Sequence, residues 1–141
     1  MEKRLAWKEF DYTIQIGPGN NWIYRPLIEV DVSLHGNSNK VRILAMIDSG
    51  TDGTVFDSAV AQSLGINPAG CQKVKLGGIG SVEGFLSAVQ LSVPGLKTTM
   101  NIPVVFAEKL PMDGLLGQKH FFQRFRIRFE KDRGKFFLAA V

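Results

Sequence analysis

The sequence predicts a mainly β chain with one or two short helices, and three observations carry the prediction. Apolar and polar residues alternate, most clearly where Ile28, Val30, Val32 and Leu34 interleave with Glu29, Asp31 and Ser33; a strand with one buried face has that period. Clusters of turn formers, such as Gly17-Pro18-Gly19-Asn20-Asn21, His35-Gly36-Asn37-Ser38-Asn39 and Pro94-Gly95, cut the chain at short intervals, as turns between strands do. Helix signals are confined to Ser58 to Leu64 and to a short segment after Gly117. With 141 residues, 45% of them hydrophobic, residues 1–141 suffice for one domain with its own core, and no composition shift marks a linker.

In chain order, Glu9 to Ile16 reads as a first strand, inside an N-terminal extension over residues 1–21. Ile23 to Leu34 is the second strand, and the turn at His35 sends the chain back along Val41 to Ile47 as a hairpin. The latter run is almost continuously apolar, which predicts cover on both of its faces. Val55 and Phe56 form a short run before the helix Ser58 to Leu64, capped by Asp57 or Ser58 and ended by Gly65. Asn67-Pro68-Ala69-Gly70 is a loop. Gln72 to Leu76 and Val82 to Val93 flank the glycine-rich stretch Gly77-Gly78-Ile79-Gly80-Ser81; as a hairpin tip it cradles no phosphate, since no Gly-Lys-Ser/Thr follows. Leu96 to Phe106 is a further strand, Ala107 to Asp113 a loop, and Gly114-Leu115-Leu116-Gly117 leads into a short helix. Phe125, Ile127 and Phe129 alternate with Arg124, Arg126, Arg128 and Glu130, and Lys131-Asp132-Arg133-Gly134 turns into Lys135 to Val141 as a terminal hairpin.

Composition excludes several function classes. One cysteine, Cys71, and two histidines, His35 and His120, build neither a disulfide framework nor a zinc site, so no metal and no organic cofactor is expected, and the cysteine fits a reducing, cytoplasmic setting. No apolar run reaches the roughly 18 to 20 residues of a membrane span. The net charge of +4 is the modest surplus of a solvated surface. A nucleic-acid reading would rest on Arg124, Arg126 and Arg128; it is disfavoured because the nearby aromatics share the buried face instead of interleaving with the charges as a stacking platform.

The stretch with chemistry on it is Met46-Ile47-Asp48-Ser49-Gly50-Thr51-Asp52-Gly53-Thr54-Val55, in which an apolar strand delivers an acid, a hydroxyl and a glycine before a second apolar run. A polar turn clamped between apolar strands needs internal hydrogen-bond partners. A purely structural turn is one reading. Gly50 to Val55 is similar to the opening of haloacid-dehalogenase phosphatases, except that glycine stands where their nucleophile belongs. Asp48 to Thr51 also fits the phosphate turn of sugar kinases, whose two large lobes exceed this chain. The third reading is an aspartic protease. Two facing carboxylates cannot both ionise, so they share one proton; one activates a water while the other, protonated, polarises the scissile carbonyl. Gly50 lets two such turns approach back to back, and the Ser49 hydroxyl can bond across to the opposite turn. The chain carries one copy of the motif, so its length selects an enzyme that supplies the second aspartate by homodimerising about a twofold axis.

The order of hairpin, Ile47-Asp48-Ser49-Gly50-Thr51, glycine-rich hairpin, and Leu115-Leu116-Gly117 before a helix and closing strand resembles the retropepsin-like family of aspartic proteases over roughly Ile23 to Phe137. The resemblance implies a closed acid-protease barrel with one lobe per chain, acting as a homodimer on protein or peptide substrates. It makes Asp48 the catalytic acid, with Ser49, Gly50 and Thr51 supporting its loop and Leu115, Leu116 and Gly117 packing behind it. Asp52 matches an aspartate that contacts substrate backbone. The hairpin over 72–93 becomes a flap centred on Ile79, its tip residues Gly77, Gly78, Ile79 and Gly80 offering backbone amides to an extended peptide. By analogy with viral members, Lys135 to Val141 is expected to interleave with the partner. The sequence departs from the viral pattern after Gly117, where Gln118 replaces an arginine that pairs with the loop aspartate and leaves Lys119 as the nearest substitute. That departure, with the longer N-terminal segment and the helix at Ser58, points to a cellular relative. It also keeps open a non-catalytic dimerisation or peptide-binding module on the same fold.

Overall fold

The computed structural model describes residues 4–35, 39–77 and 81–141. Its strands are β1 (Lys8–Asp11), β2 (Thr13–Ile16), β3 (Trp22–Arg25), β4 (Leu27–Ser33), β5 (Val41–Ile47), β6 (Thr54–Asp57), β7 (Gln72–Leu76), β8 (Val82–Ser92), β9 (Thr99–Ala107), β10 (Gly114–Leu116), β11 (Phe125–Glu130) and β12 (Lys135–Ala140). Two helices, α1 (Ser58–Leu64) and α2 (Phe121–Arg124), complete the described elements apart from short 3-10 turns.

Seven strands form one sheet in the order β4-β5-β10-β6-β9-β8-β7, and a further pairing of β4 with β8 joins Val32 to Leu91 and closes six of them into a ring. The fold is therefore mainly β and barrel-like, as the sequence predicts. Inward positions on alternating strands fill the ring: Ile28, Val30 and Val32 from β4, Ile43, Ala45 and Ile47 from β5, Leu91, Ile102, Val104 and Phe106 from β8 and β9. Phe121, Phe125, Phe136 and Leu138 extend the same core beneath a second, three-stranded sheet ordered β1-β12-β11.

Local chemistry sets the helix boundaries. The Asp57 carboxylate accepts from the Ala59 amide at 3.0 Å, satisfying an orphan donor of the first turn of α1. Gly65 ends the helix in the left-handed region, φ 76, where a side chain would be strained.

Several boundaries differ from the sequence reading. Glu9 to Ile16 is not one strand: β1 pairs with β12 while β2 pairs with β3, so the chain changes partner at Tyr12, whose amide donates to the Gly134 carbonyl at 2.9 Å. Likewise Ile23 to Leu34 is split at Pro26, which has no amide to give a ladder, into β3 and β4. The strand expected from Leu96 begins at Thr99. On β5, Ile43, Ala45 and Ile47 are buried while Leu44 and Met46 are only half-buried, so cover is fuller on one face than the other. At the C-terminus, where interleaving of Lys135 to Val141 with a partner is expected, β12 lies between β1 and β11 of its own chain, and β1 engages its other edge from Lys135 to Leu138. On β11, Phe129 is exposed, and Arg128 is no free surface cation; its guanidinium lies 4.9 Å from the Trp7 ring and 4.2 Å from the Phe137 ring, and bonds Glu130 at 2.8 Å. Among the described residues, no helix is long and apolar enough to cross a membrane.

Candidate active site

The Asp48 turn is held by the two strands that end beside it. β10 runs parallel to β5, with Leu116 opposite Ile47, and antiparallel to β6, with Leu116 opposite Thr54. The short strand therefore wedges between the arms of the loop. The Asp48 amide donates to the Leu116 carbonyl at 2.9 Å, and the Gln118 and Lys119 amides donate to the Thr51 and Asp52 carbonyls at 2.8 and 2.7 Å. Gly117 has to be glycine: a Cβ there would sit 2.2 Å from the Thr51 carbonyl oxygen and 2.3 Å from that of Gly53. Leu115, Leu116 and Gly117 are thus brought against the back of the Asp48 loop, buried in the case of Leu116 and Gly117.

Within the loop, both carboxylate oxygens of Asp48 are engaged. Oδ1 accepts the Gly50 amide at 2.9 Å, and Oδ2 accepts the Thr51 hydroxyl at 2.6 Å. Two bonds from fixed donors orient the carboxylate plane without drawing on any distant side chain. The sequence reading gave Thr51 a part in supporting the loop but not this bond to Asp48; a hydroxyl three residues after an acid in a tight turn is the signal that was there. Asp48 is half-buried, while Ser49 and Gly50 are exposed, so the turn opens at the molecular surface instead of being enclosed.

Gln118, at the position of the departure from the viral pattern, donates its amide Nε2 to the Ser49 carbonyl at 2.8 Å. It braces the same loop from behind by a neutral bond. Just past it, Lys119-His120-Phe121 makes a tight turn closed by the Phe121 amide on the Lys119 carbonyl at 2.9 Å, with His120 at φ 70 and ψ −63. Backbone of that kind is sparsely populated for a residue with a side chain. The His120 amide is satisfied by Gln123 Oε1 at 3.0 Å.

The residues expected to meet substrate are partly assembled. A groove of ≈590 Å³ beside the loop is lined by Asp52, Leu76, Gln118, Lys119, Phe122 and Gln123. Asp52 faces the foot of the β7–β8 hairpin, since a Cβ on Gly77 would stand 3.1 Å from Asp52 Oδ2. Gly78, Ile79 and Gly80 lie outside the described residues. A larger groove of ≈700 Å³, floored by Ala61, Val74, Phe85 and Phe106, lies between α1 and the same hairpin, away from Asp48. Among the described residues no group of three or more His, Cys, Asp and Glu side chains is placed to hold a metal ion.

The sequence model of the aspartyl protease family matches residues 30–119, well over half of the chain, and the protein belongs to that family. The match spans the Asp48 loop, α1, the β7–β8 hairpin and β10. No curated protein sequence matches the chain. Among solved structures, a retropepsin-like aspartic protease from Rickettsia conorii aligns over 100% of this chain and 99% of its own at a TM-score of 0.61 and 18% identity, which shows a shared retropepsin-like fold. EIAV protease in complex with the inhibitor HBY-793 aligns over 66% of this chain and 81% of its own, at a TM-score of 0.45 and 24% identity.

Proposed function

We propose that the chain is an aspartic endopeptidase active as a homodimer, with Asp48 of each copy forming the catalytic pair. The observation that carries this reading is the setting of Asp48: both oxygens held by donors of its own turn, on a loop wedged by β10 and open at the surface beside it. A single lobe presents one carboxylate, and the chemistry needs two that share a proton. In the assembled pair the ionised Asp48 takes a proton from a water whose oxygen attacks the scissile carbonyl carbon. The protonated Asp48 donates to the carbonyl oxygen, giving a tetrahedral diol, and the C–N bond breaks as the amine leaves with a proton returned from the dyad.

Asp52 and the amides of Gly77, Gly78, Ile79 and Gly80 would bind the substrate backbone from opposite sides as the 72–93 hairpin closes, and Ser49 would bond across to the partner's turn. Soluble cytoplasmic protein or peptide is the substrate class this reading takes, within the single domain 1–141. The peptide-binding alternative drew on the missing arginine after Gly117; the Gln118 bond to Ser49 supports the loop without it and weighs against that alternative.

The test is hydrolysis of a peptide library between pH 4 and 7 by the native chain and by Asp48→Asn. The variant is expected to lose cleavage by at least about 10³-fold, the scale on which removal of an essential acid–base group acts. Equal turnover by the two proteins would refute the reading.

A further inference from the structure

The β2–β3 hairpin wears its amphipathic pattern inside out. Its register places Ile14 opposite Tyr24 and Ile16 opposite Trp22, so these four side chains share one face, and they are 50%, 47%, 72% and 68% exposed respectively. The other face, Thr13, Gln15, Ile23 and Arg25, is half-buried. Opposed residues on one face of an antiparallel pair have Cβ atoms about 4.5–5.5 Å apart, so the four make one continuous apolar patch, which a soluble monomer avoids presenting. A lone two-stranded hairpin is also marginal in water, and β2 and β3 pair only with each other among the described strands.

The patch is anchored beside the candidate active site. Pro26, the residue after β3, accepts from the Ile47 amide at 3.1 Å, and Asp48 follows Ile47. A second copy that brings its own Asp48 to this one would approach the end of the hairpin at Arg25 and Pro26. Charge identifies the occupant further. Between residues 13 and 25 Arg25 is the only charged side chain, in a protein that is 21% charged overall, and it lies on the inner face. Across a twofold axis a surface approaches its own copy, where repeated like charges would repel; an anionic membrane surface would instead select lysines and arginines around the apolar face.

We infer that the Ile14–Ile16–Trp22–Tyr24 face is a dimer clasp that packs against a second copy of this chain. The inference rests on the homodimer reading above. Specific interfaces bury roughly 800 Å² per partner, and a Trp or Tyr side chain buries about 150–250 Å². The clasp therefore supplies the apolar centre, with Trp22 and Tyr24 as anchors, and the surface around the Asp48 turn the rest.

The experiment uses the full chain with Trp7→Phe, which leaves Trp22 as the sole indole of the two in the sequence. Sedimentation velocity and Trp22 fluorescence are followed over a concentration series. The expected result is a monomer–dimer transition along which Trp22 emission shifts to the blue and acrylamide quenching falls. Adding Ile14→Glu and Ile16→Glu is expected to raise the dimer dissociation constant at least tenfold with an unchanged circular dichroism spectrum. A dimer in which Trp22 stays as quenchable as in the monomer overturns the clasp, as does a chain that stays monomeric, or a Trp22 shift produced only by phosphatidylserine vesicles. Asp48→Asn hydrolysis separates the two readings. Lost hydrolysis with an exposed Trp22 removes the clasp alone, whereas retained hydrolysis with a buried Trp22 removes the catalytic assignment alone.

Discussion

Thr51 holds Asp48 by a bond of 2.6 Å from its hydroxyl to Oδ2. A hydrogen bond to a charged group contributes about 1.5–3 kcal/mol, and here the gain is orientation of the candidate catalytic carboxylate. Thr51→Val, which keeps the shape and removes the donor, is expected to lower kcat about tenfold with KM little changed, while Thr51→Ser retains most of the rate. Equal kcat for Val and Ser would remove Thr51 as a positioning residue. Thr54, close by on β6, gives the opposite sign. Its side chain is buried at 2% exposure and its hydroxyl has no partner among the described residues, so the fold carries an uncompensated desolvation cost. Thr54→Val is expected to stabilise by about 1 kcal/mol, read as a raised Tm with unchanged activity. At this scale the sequence singled out the turn at Asp48, because acid, hydroxyl and glycine in one turn restrict the options. It did not show that Gln118 bonds Ser49, since that contact spans 69 positions and depends on how β10 is set against the loop.

Elements were legible where their determinants are local. α1 ends where Asp57 and Gly65 end it, and β5 and β7 run over the residues that their patterns mark. Strands were misjudged where the pairing partner is remote. Nothing within Glu9 to Ile16 says that its first half belongs to β12 and its second to β3, because both halves have the same period. Two predictions belong here. Gly117→Ala drives a Cβ into two backbone carbonyls that cannot rotate away; the expected cost is about 1–3 kcal/mol, measured by urea denaturation, and it should be accompanied by lost activity as β10 is pushed off the Asp48 loop. On the β4–β5 hairpin, hydrogen bonds from Arg42 to both oxygens of Asp31, at 2.8 and 3.1 Å, hold that carboxyl below its ordinary range. A carboxyl with a depressed folded-state pKa adds stability above its unfolded value, near 3.9, and loses it as the pH falls through the folded value. Asp31→Asn should therefore lower Tm at pH 7 by a small amount, since Arg42 is half in solvent, and the difference from the native chain should shrink below pH 3. A constant difference from pH 7 to pH 2 would show that the pair is not its source.

At the scale of the whole molecule, the proposed function makes one lobe half of a catalytic centre. The ring of strands and the β1-β12-β11 sheet are both built from this chain's own described strands. What the proposed mechanism adds to the lobe is a second Asp48, from the partner copy. Mixing native chain with Asp48→Asn at fixed total concentration tests this directly, provided that subunits exchange. Both proteins should fold and associate alike, because the substitution changes one carboxylate oxygen to an amide nitrogen on a loop held by backbone bonds to Leu116 and Thr51. If each centre needs an ionisable Asp48 from both copies, mixed dimers are dead and activity follows the square of the native fraction. An equal mixture then retains about a quarter of full activity. If one copy suffices, activity tracks the native fraction linearly and about half remains. Dilution supplies the complementary reading: specific activity should fall as dimers dissociate, over the same concentration range in which Trp22 becomes accessible to quencher. Linear mixing together with dilution-independent specific activity would mean that a single lobe does the chemistry by itself, and the paired-aspartate mechanism would have to be abandoned.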